Sequence, residues 1–312
     1  MKPLISIIIP SYNRAKLICE TLDSVMEQTF TNWECIVIDD RSTDGTNAIL
    51  KEYSNRDFRF ITLSKPLKFK QGSSVSKNLG LQIARGEYIQ FLDSDDILAR
   101  DKLEKQIDTL KNQNNKAISV CMTSNFKERN DPLILDFDRK DYRNFNNSKE
   151  YFDVISKIGG YYAPESFLIN KALINFSGHW NENLTLNDDG EFFFRIIYNS
   201  NKIIFNNDTF VRHREHTGDN LSTLNSFEKA TSLLNSWKII EILYNTKYNE
   251  LNSRYLGKKK WSVYNELKGT YPILIKQNKL FFHNQKKKDN LLHVLNKLKR
   301  RLKARLKNIF KY

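Results

Sequence analysis

Two groups of carboxylates stand where runs of apolar residues stop. Asp39-Asp40 closes the run WECIVI, and Asp93-Ser94-Asp95-Asp96 closes EYIQFL. Carboxylates crowded together repel one another unless a cation or a set of donors compensates. An Asp-x-Asp spacing presents two side chains on one side of an extended segment, which suits a hard divalent ion shared with a diphosphate. Aspartate is also a favoured helix cap, and a helix is expected after each group. The competing reading is therefore that both groups only start helices. Their occurrence at two strand ends weighs against it. Spacing alone supports a nucleotide or metal site on an α/β sheet.

These residues need elements that bring them to one edge. LISIII, WECIVI, FRFITL, EYIQFL and AISVCM read as buried strands, the first ended by Pro10. Ala15–Gln28, Thr43–Ser54, Ser73–Ala84 and Asp101–Lys111 between them have helical spacing, with Ser42 or Thr43 placed to cap the second. The alternation predicts βαβ units, hence an α/β fold whose mostly parallel sheet is covered by helices on both faces. Ligands of such a sheet lie at the carboxyl ends of its strands, so both acidic groups are expected in one crevice. After Asn125 the pattern loosens. A long polar loop is expected over 130–147, a helix over 149–158, a short strand over 166–169 and a helix over 190–199. Two short strands follow at 202–205 and 209–213, and from Phe227 a helical C-terminal region broken near Gly257 and Pro272.

The chain has 312 residues, 40% of them apolar and 12% aromatic, enough to bury a sizeable core. Cys19, Cys35 and Cys121 form no CxxC pair and read as buried thiols in a reducing cytosol. The apolar run Leu4–Ile9 is too short for a signal segment or a membrane span. The expected location is therefore cytoplasmic. Net charge is +14, but residues 286–312 hold eleven Lys/Arg and one acid, leaving only +4 for the rest. A balanced body with a basic tail points away from nucleic acid. Leu291, Leu295, Leu298, Leu302, Leu306 and Ile309 recur at spacings of three or four, with lysines and arginines around the other faces. That composition suits a helix lying on the cytoplasmic face of an anionic membrane, as a peripheral anchor. The plainer alternative packs those leucines on the body of the protein.

Taken together, ISIIIPSYNR, CIVIDDRSTDGT, SKNLGLQIARGEYIQFLDSDD and LNDDGEFFFR resemble the family 2 inverting glycosyltransferases of the GT-A fold. The first three blocks fall within residues 4–100 in the family's order and spacing. The segment SGHWNENLTLNDDGEFFFRI resembles the acceptor-side block, which carries the likeness to about residue 222. The resemblance implies a GT-A transferase domain over 1–225, with a nucleotide-sugar half to residue 125 and an acceptor half beyond it, then a helical extension over 226–312.

It also implies roles. Pro10 and Tyr12 would line the base pocket of a UDP-sugar donor, and Asp40 would accept from the uracil N–H. Asp93 would reach the ribose, and Asp95 would hold a divalent cation, Mn²⁺ or Mg²⁺, at the diphosphate. Lys77 stands where the family commonly has arginine, a point charge able to pair with phosphate without a bidentate fork. Arg14 would assist. Asp189 matches the catalytic base, in a segment usually written Glu-Asp; here Asp188 takes the first place. His216 resembles the histidine of a closing loop that contacts phosphate or metal, with His213 as competitor.

The implied reaction is one inverting displacement, in which Asp189 takes a proton from an acceptor hydroxyl on a glycan or lipid-linked glycan. The setting this resemblance implies is cell-surface polysaccharide synthesis. Rival readings are transfer to a polyprenyl phosphate, a non-catalytic nucleotide-sugar-binding module, and a nucleic-acid-binding protein.

Overall fold

The computed structural model describes residues 3–215, 223–251, 253–292, 295, 298 and 299. The chain runs β1 (Ile5–Ser11), α1 (Ile18–Met26), β2 (Trp33–Asp39), α2 (Thr46–Arg56), β3 (Phe60–Ser64), α3 (Ser73–Ile83) and β4 (Tyr88–Phe91). There follow β5 (Ile97–Leu98), α4 (Lys102–Leu110), β6 (Ala117–Phe126), α5 (Ser148–Ile158), a 3₁₀ turn at Pro164–Ser166, β7 (Leu168–Asn170) and α6 (Lys171–Ser177). The chain continues with α7 (Asp188–Asn199), β8 (Lys202–Arg214), α8 (Phe227–Tyr248), α9 (Arg254–Thr270) and α10 (Pro272–Gln277). This is the α/β architecture expected from the sequence.

The strands form one sheet in the order β3-β2-β1-β4-β7-β6-β8-β5. β1 pairs in parallel with β2 and β4, and β2 with β3, so their carboxyl ends share an edge. β7 is antiparallel to both β4 and β6. Every residue of β2 is buried, as a strand covered on both faces requires. α3 lies close on β1 because Gly80 has no side chain: a Cβ there would stand 2.5 Å from Ile8 Cγ2. On one face Ile7, Ile9, Leu22 and Leu103 share a core. On the other, a larger core runs from Ile8 and Phe91 through Phe152 and Phe194 to Trp237, Tyr255 and Leu267. α8 and α9 thus bury their apolar residues in the same core as the sheet.

Three expectations need correction. Residues 202–214 form one strand, not two, because a register shift between Cys121 and Met122 of β6 absorbs the polar stretch of β8 around Asp208. The C-terminal helices part at 249–253, where Asn249 is left-handed and Ser253 caps α9, and Gly257 lies inside that helix. A single helical glycine costs about 1 kcal/mol, which tertiary packing outweighs. Neither Ser42 nor Thr43 caps α2: its N-cap is Gly45, with φ of 97°.

Candidate active site

The shared strand edge gathers the acidic residues. Backbone hydrogen bonds extend the ladder past the strands: Asp40 N donates to Ser11 O at 2.7 Å, Lys65 N to Asp39 O at 2.8 Å and Leu92 N to Ile8 O at 3.1 Å. Asp39 and Asp40 then divide their work. Asp39 accepts from the Ser42 amide at 3.0 Å and shapes the turn. Asp40 is buried against Lys65, whose Nζ lies 2.6 Å away, and accepts from the Gly72 amide at 2.8 Å. Pro10 and the half-exposed Tyr12 stand beside them at the end of β1. No side chain caps α2 or α4, so neither acidic group is a helix cap.

The second group splits in the same manner. Asp93 Oδ1 is 3.2 Å from Lys77 Nζ, and Asp95 Oδ2 is 3.4 Å from Arg14 Nε. Asp96 turns inward, accepting from the Arg214 amide at 2.7 Å and lying 3.2 Å from His213 Nδ1. His213 Nδ1 is also 3.1 Å from Glu165 Oε1. Burial works against a charge on His213, but hydrogen bonds to Asp96 and Glu165 outweigh it and lift its pKa to about 12. Asp96, Glu165 and His213 bring ligand atoms within 4.8 Å of one another. His216 lies outside the described residues.

α7 faces this edge from the other side. Its first turn carries Asp188 and Asp189, both favoured there by the helix dipole. Asp188 Oδ2 accepts from Ser74 Oγ of α3 at 2.6 Å, which fastens the two helix starts together. Asp189 Oδ1 accepts from the Gly190 amide at 2.7 Å. Asp189 is solvent-exposed where its carboxylate opens onto a cavity; the protein crowded around that opening first, and then the charge of Asp188, push its pKa up to about 6. Lys77 sits buried between the groups, 4.3 Å above the Trp180 ring. Burial opposes its charge, but Asp93, Asp188 and Asp189 outweigh it and raise its pKa above the ordinary lysine value. Burial would likewise neutralise Asp93, and Lys77 reverses this, holding its pKa below the usual carboxylate value.

The segment before α7 is held from two directions. Asn78 Nδ2 donates to Trp180 O at 3.0 Å, and Trp180 N donates to Asn78 Oδ1 at 3.0 Å. Arg195 of α7 reaches back to the carbonyls of Ser177, Gly178 and His179 at 2.7, 2.6 and 2.8 Å while paired with Glu191. Trp180 stacks on Phe192 with ring centres 4.1 Å apart. Beyond Asp189 the cavity, of about 240 Å³, is walled by Tyr162, Phe193, Trp237, Tyr255 and Lys259 among others.

The model of glycosyl transferase family 2 matches residues 6–175. The chain belongs to that family. It is 46% identical over 107 residues to a putative teichuronic acid biosynthesis glycosyltransferase, TuaG, of Bacillus subtilis, covering 34% of this chain and 42% of that one. It is 33% identical over 172 residues to WfgD of Escherichia coli, a UDP-Glc:alpha-D-GlcNAc-diphosphoundecaprenol beta-1,3-glucosyltransferase, covering 55% of this chain and 56% of that one. The matches thus span about half the length of these curated relatives. The fold matches S. aureus TarS 1–349 with a TM-score of 0.67 at 20% identity, over 90% of this chain and 78% of that one. The same TarS fragment in complex with UDP-GlcNAc gives a TM-score of 0.61.

The structure thus places Asp93 and Asp95 beside Lys77 and Arg14 after β4, Asp40 at the end of β2, and Asp189 within electrostatic reach of Lys77 at the start of α7, beyond the residues that the family model matches. Sequence reasoning missed Lys65, Ser74 and Glu165. Lys65 had a usable signal: a lysine directly after the third strand must point into the same crevice as Asp40. Ser74 and Glu165 had none, since their partners lie 114 and 48 residues away.

Proposed function

We propose that this chain moves a sugar from a nucleoside-diphosphate donor, a UDP-sugar, to a hydroxyl of a glycan or lipid-linked glycan during cell-surface polysaccharide synthesis. The observation that carries this reading is the position of Asp189. It lies between the Lys77–Asp93 pair and the aromatic cavity, with a pKa of about 6, suited to a base working near neutrality. The TarS complex with UDP-GlcNAc and the named reaction of WfgD support a uridine donor.

In this reading Tyr12 and Asp40 receive the base, and Asp93 the ribose. Lys65 holds Asp40 in place. Arg14 and Lys77 give the diphosphate two cationic partners beside the carboxylates. Asp95 offers a hard oxygen donor of the kind that fits Mg²⁺ or Mn²⁺, with His216 as a further ligand. Such an ion supplies charge stabilisation to the departing diphosphate. Asp189 takes the acceptor proton as its oxygen attacks the face of the anomeric carbon opposite the leaving group, and one displacement inverts the configuration. Residues 1–225 form the transferase domain in this scheme and 226–312 an extension that completes the acceptor side.

The basic tail is the membrane contact, on the cytoplasmic leaflet. Leu291, Leu292, Leu295 and Leu298 are exposed rather than packed on the body. No helix among the described residues is long and apolar enough to cross a membrane. The whole reading is tested by a transfer screen of UDP-sugars against lipid-linked and simple acceptors, with Mn²⁺, Mg²⁺ and EDTA arms and an Asp189→Asn control. Metal-dependent product of inverted configuration, lost in Asp189→Asn, is expected. Absence of any nucleotide-sugar binding would overturn it.

A further inference from the structure

Three consecutive lysines on α9 differ in their surroundings. Lys258 Nζ donates to the Lys157 carbonyl at 3.0 Å, and Lys260 Nζ pairs with Glu241 at 2.7 Å. Lys259 stands between them and makes no hydrogen bond or ion pair among the described residues. Its ammonium is instead 6.0 Å from the ring centre of Trp237, at the outer limit of a cation–π contact. It lines the cavity that Asp189 also lines.

The remaining walls are largely aromatic. Tyr162, Phe193, Trp237 and Tyr255 present ring faces and edges to the space. Such surfaces suit the apolar C–H face of a sugar ring. At about 240 Å³ the cavity has room for a single sugar ring. A half-buried ammonium beside such walls has lost part of its hydration without gaining a counter-charge. Burial alone lowers the Lys259 pKa, with no carboxylate near enough to restore it. A neutral ligand would leave that cation unpaired. An anionic one would complete it with a charge-assisted hydrogen bond.

We infer that the cavity binds the acceptor sugar and that Lys259, supplied by the C-terminal helices, selects an acceptor bearing an anionic group, a phosphate or a carboxylate, on the ring whose hydroxyl faces Asp189. This rests on the transferase reading of Asp189 and extends it to the acceptor's chemical class. It also gives α9 a task in specificity, since none of the nucleotide-side strands reaches this end of the cavity.

Saturation-transfer NMR on the full chain tests the assignment, with UDP and Mg²⁺ in excess to fill the donor crevice. The probes are glucose 1-phosphate, glucuronate and glucose. At least one anionic sugar should bind about tenfold more tightly than glucose, the scale of one charge-assisted contact. Lys259→Gln should erase that preference and Lys259→Arg restore it to within about threefold, with both variants melting cooperatively. Preference for the phosphate would mark a phosphorylated acceptor, and preference for glucuronate a uronic acid. Equal binding of all three sugars, or a preference that survives in Lys259→Gln, would overturn the assignment. UDP binding is read in the same samples: its presence with no anion preference strikes Lys259 alone, whereas its absence strikes the transferase reading as well.

Discussion

Lys77 Nζ stands 3.2 Å from Asp93 Oδ1, and this contact joins the strand-end carboxylates to the start of α7. The ammonium is also within electrostatic reach of Asp188 and Asp189, so one buried cation balances three carboxylates drawn from two elements. Without it, burial would push protons onto Asp93 and further onto Asp189. The lysine therefore biases the protonation of carboxylates on two elements.

That coupling gives the first prediction. Lys77→Met removes the charge that lowers the Asp189 pKa, so the acid limb of kcat/KM should move to higher pH. At neutral pH the loss should be about 10²–10³-fold, the scale of deleting one preorganised charge at a developing anion. Lys77→Arg should keep the position of the limb. Steady-state rates across a pH series check this. A limb that stays in place in Lys77→Met would separate Lys77 from Asp189.

The second prediction concerns Asp189 itself. With a folded-state pKa of about 6, Asp189 is ionised above that pH and neutral below it, so if it serves as the proposed base, kcat/KM should fall on acidification through about pH 6. Asp189→Asn should lower kcat by about 10²–10⁴-fold. Stability should move the other way. The folded carboxyl holds its proton more tightly than the unfolded one, so stability declines as pH rises from the unfolded value of 3.8 through about 6. The penalty is complete above that window. Asp189→Asn should therefore melt higher than the wild type at neutral pH, with the gain shrinking as pH approaches the unfolded value.

Arg195 carries the third. Its guanidinium holds the carbonyls of Ser177, Gly178 and His179 and neutralises the buried Glu191. Arg195→Ala leaves Glu191 without its charge partner and frees the turn before Trp180. Removing one partner of a buried pair costs about 3–5 kcal/mol. Urea unfolding should show that loss, and Arg195→Ala with Glu191→Gln together should recover part of it.

These residues also show what a sequence makes legible. The strands that end at Asp39 and Asp93 were readable because buried parallel strands are continuous apolar runs, and strand ends in such sheets are where ligands collect. Asp40, Asp93 and Asp189 could be placed in one crevice on that logic together with the family likeness. The division of labour inside each group was not readable. Asp39 shapes a turn and Asp96 faces inward because of Ser42, Arg214 and His213, contacts set by three-dimensional packing. The short strand β5 has two residues and carries no periodicity to detect. The break between α8 and α9 fell elsewhere than Gly257 because a left-handed asparagine and a serine cap outweigh one glycine's propensity.

The last prediction concerns the basic tail. Residues 283–292 are helical, and Asp289 is tied to α9 through Lys268 at 2.9 Å and Tyr264 at 3.2 Å. Deleting everything from 286 would break those bonds, whereas deleting 293–312 spares them and still removes eight Lys/Arg. Each basic residue near an anionic leaflet contributes about 1 kcal/mol, and the attraction fades within a Debye length of about 8 Å at physiological salt. The full chain should therefore sediment with phosphatidylglycerol vesicles at low salt, release as salt rises, and ignore phosphatidylcholine vesicles. The 293–312 deletion should lose vesicle binding while turning over a soluble acceptor analogue at the wild-type rate. Binding that survives the deletion would move the membrane contact to another surface of the protein.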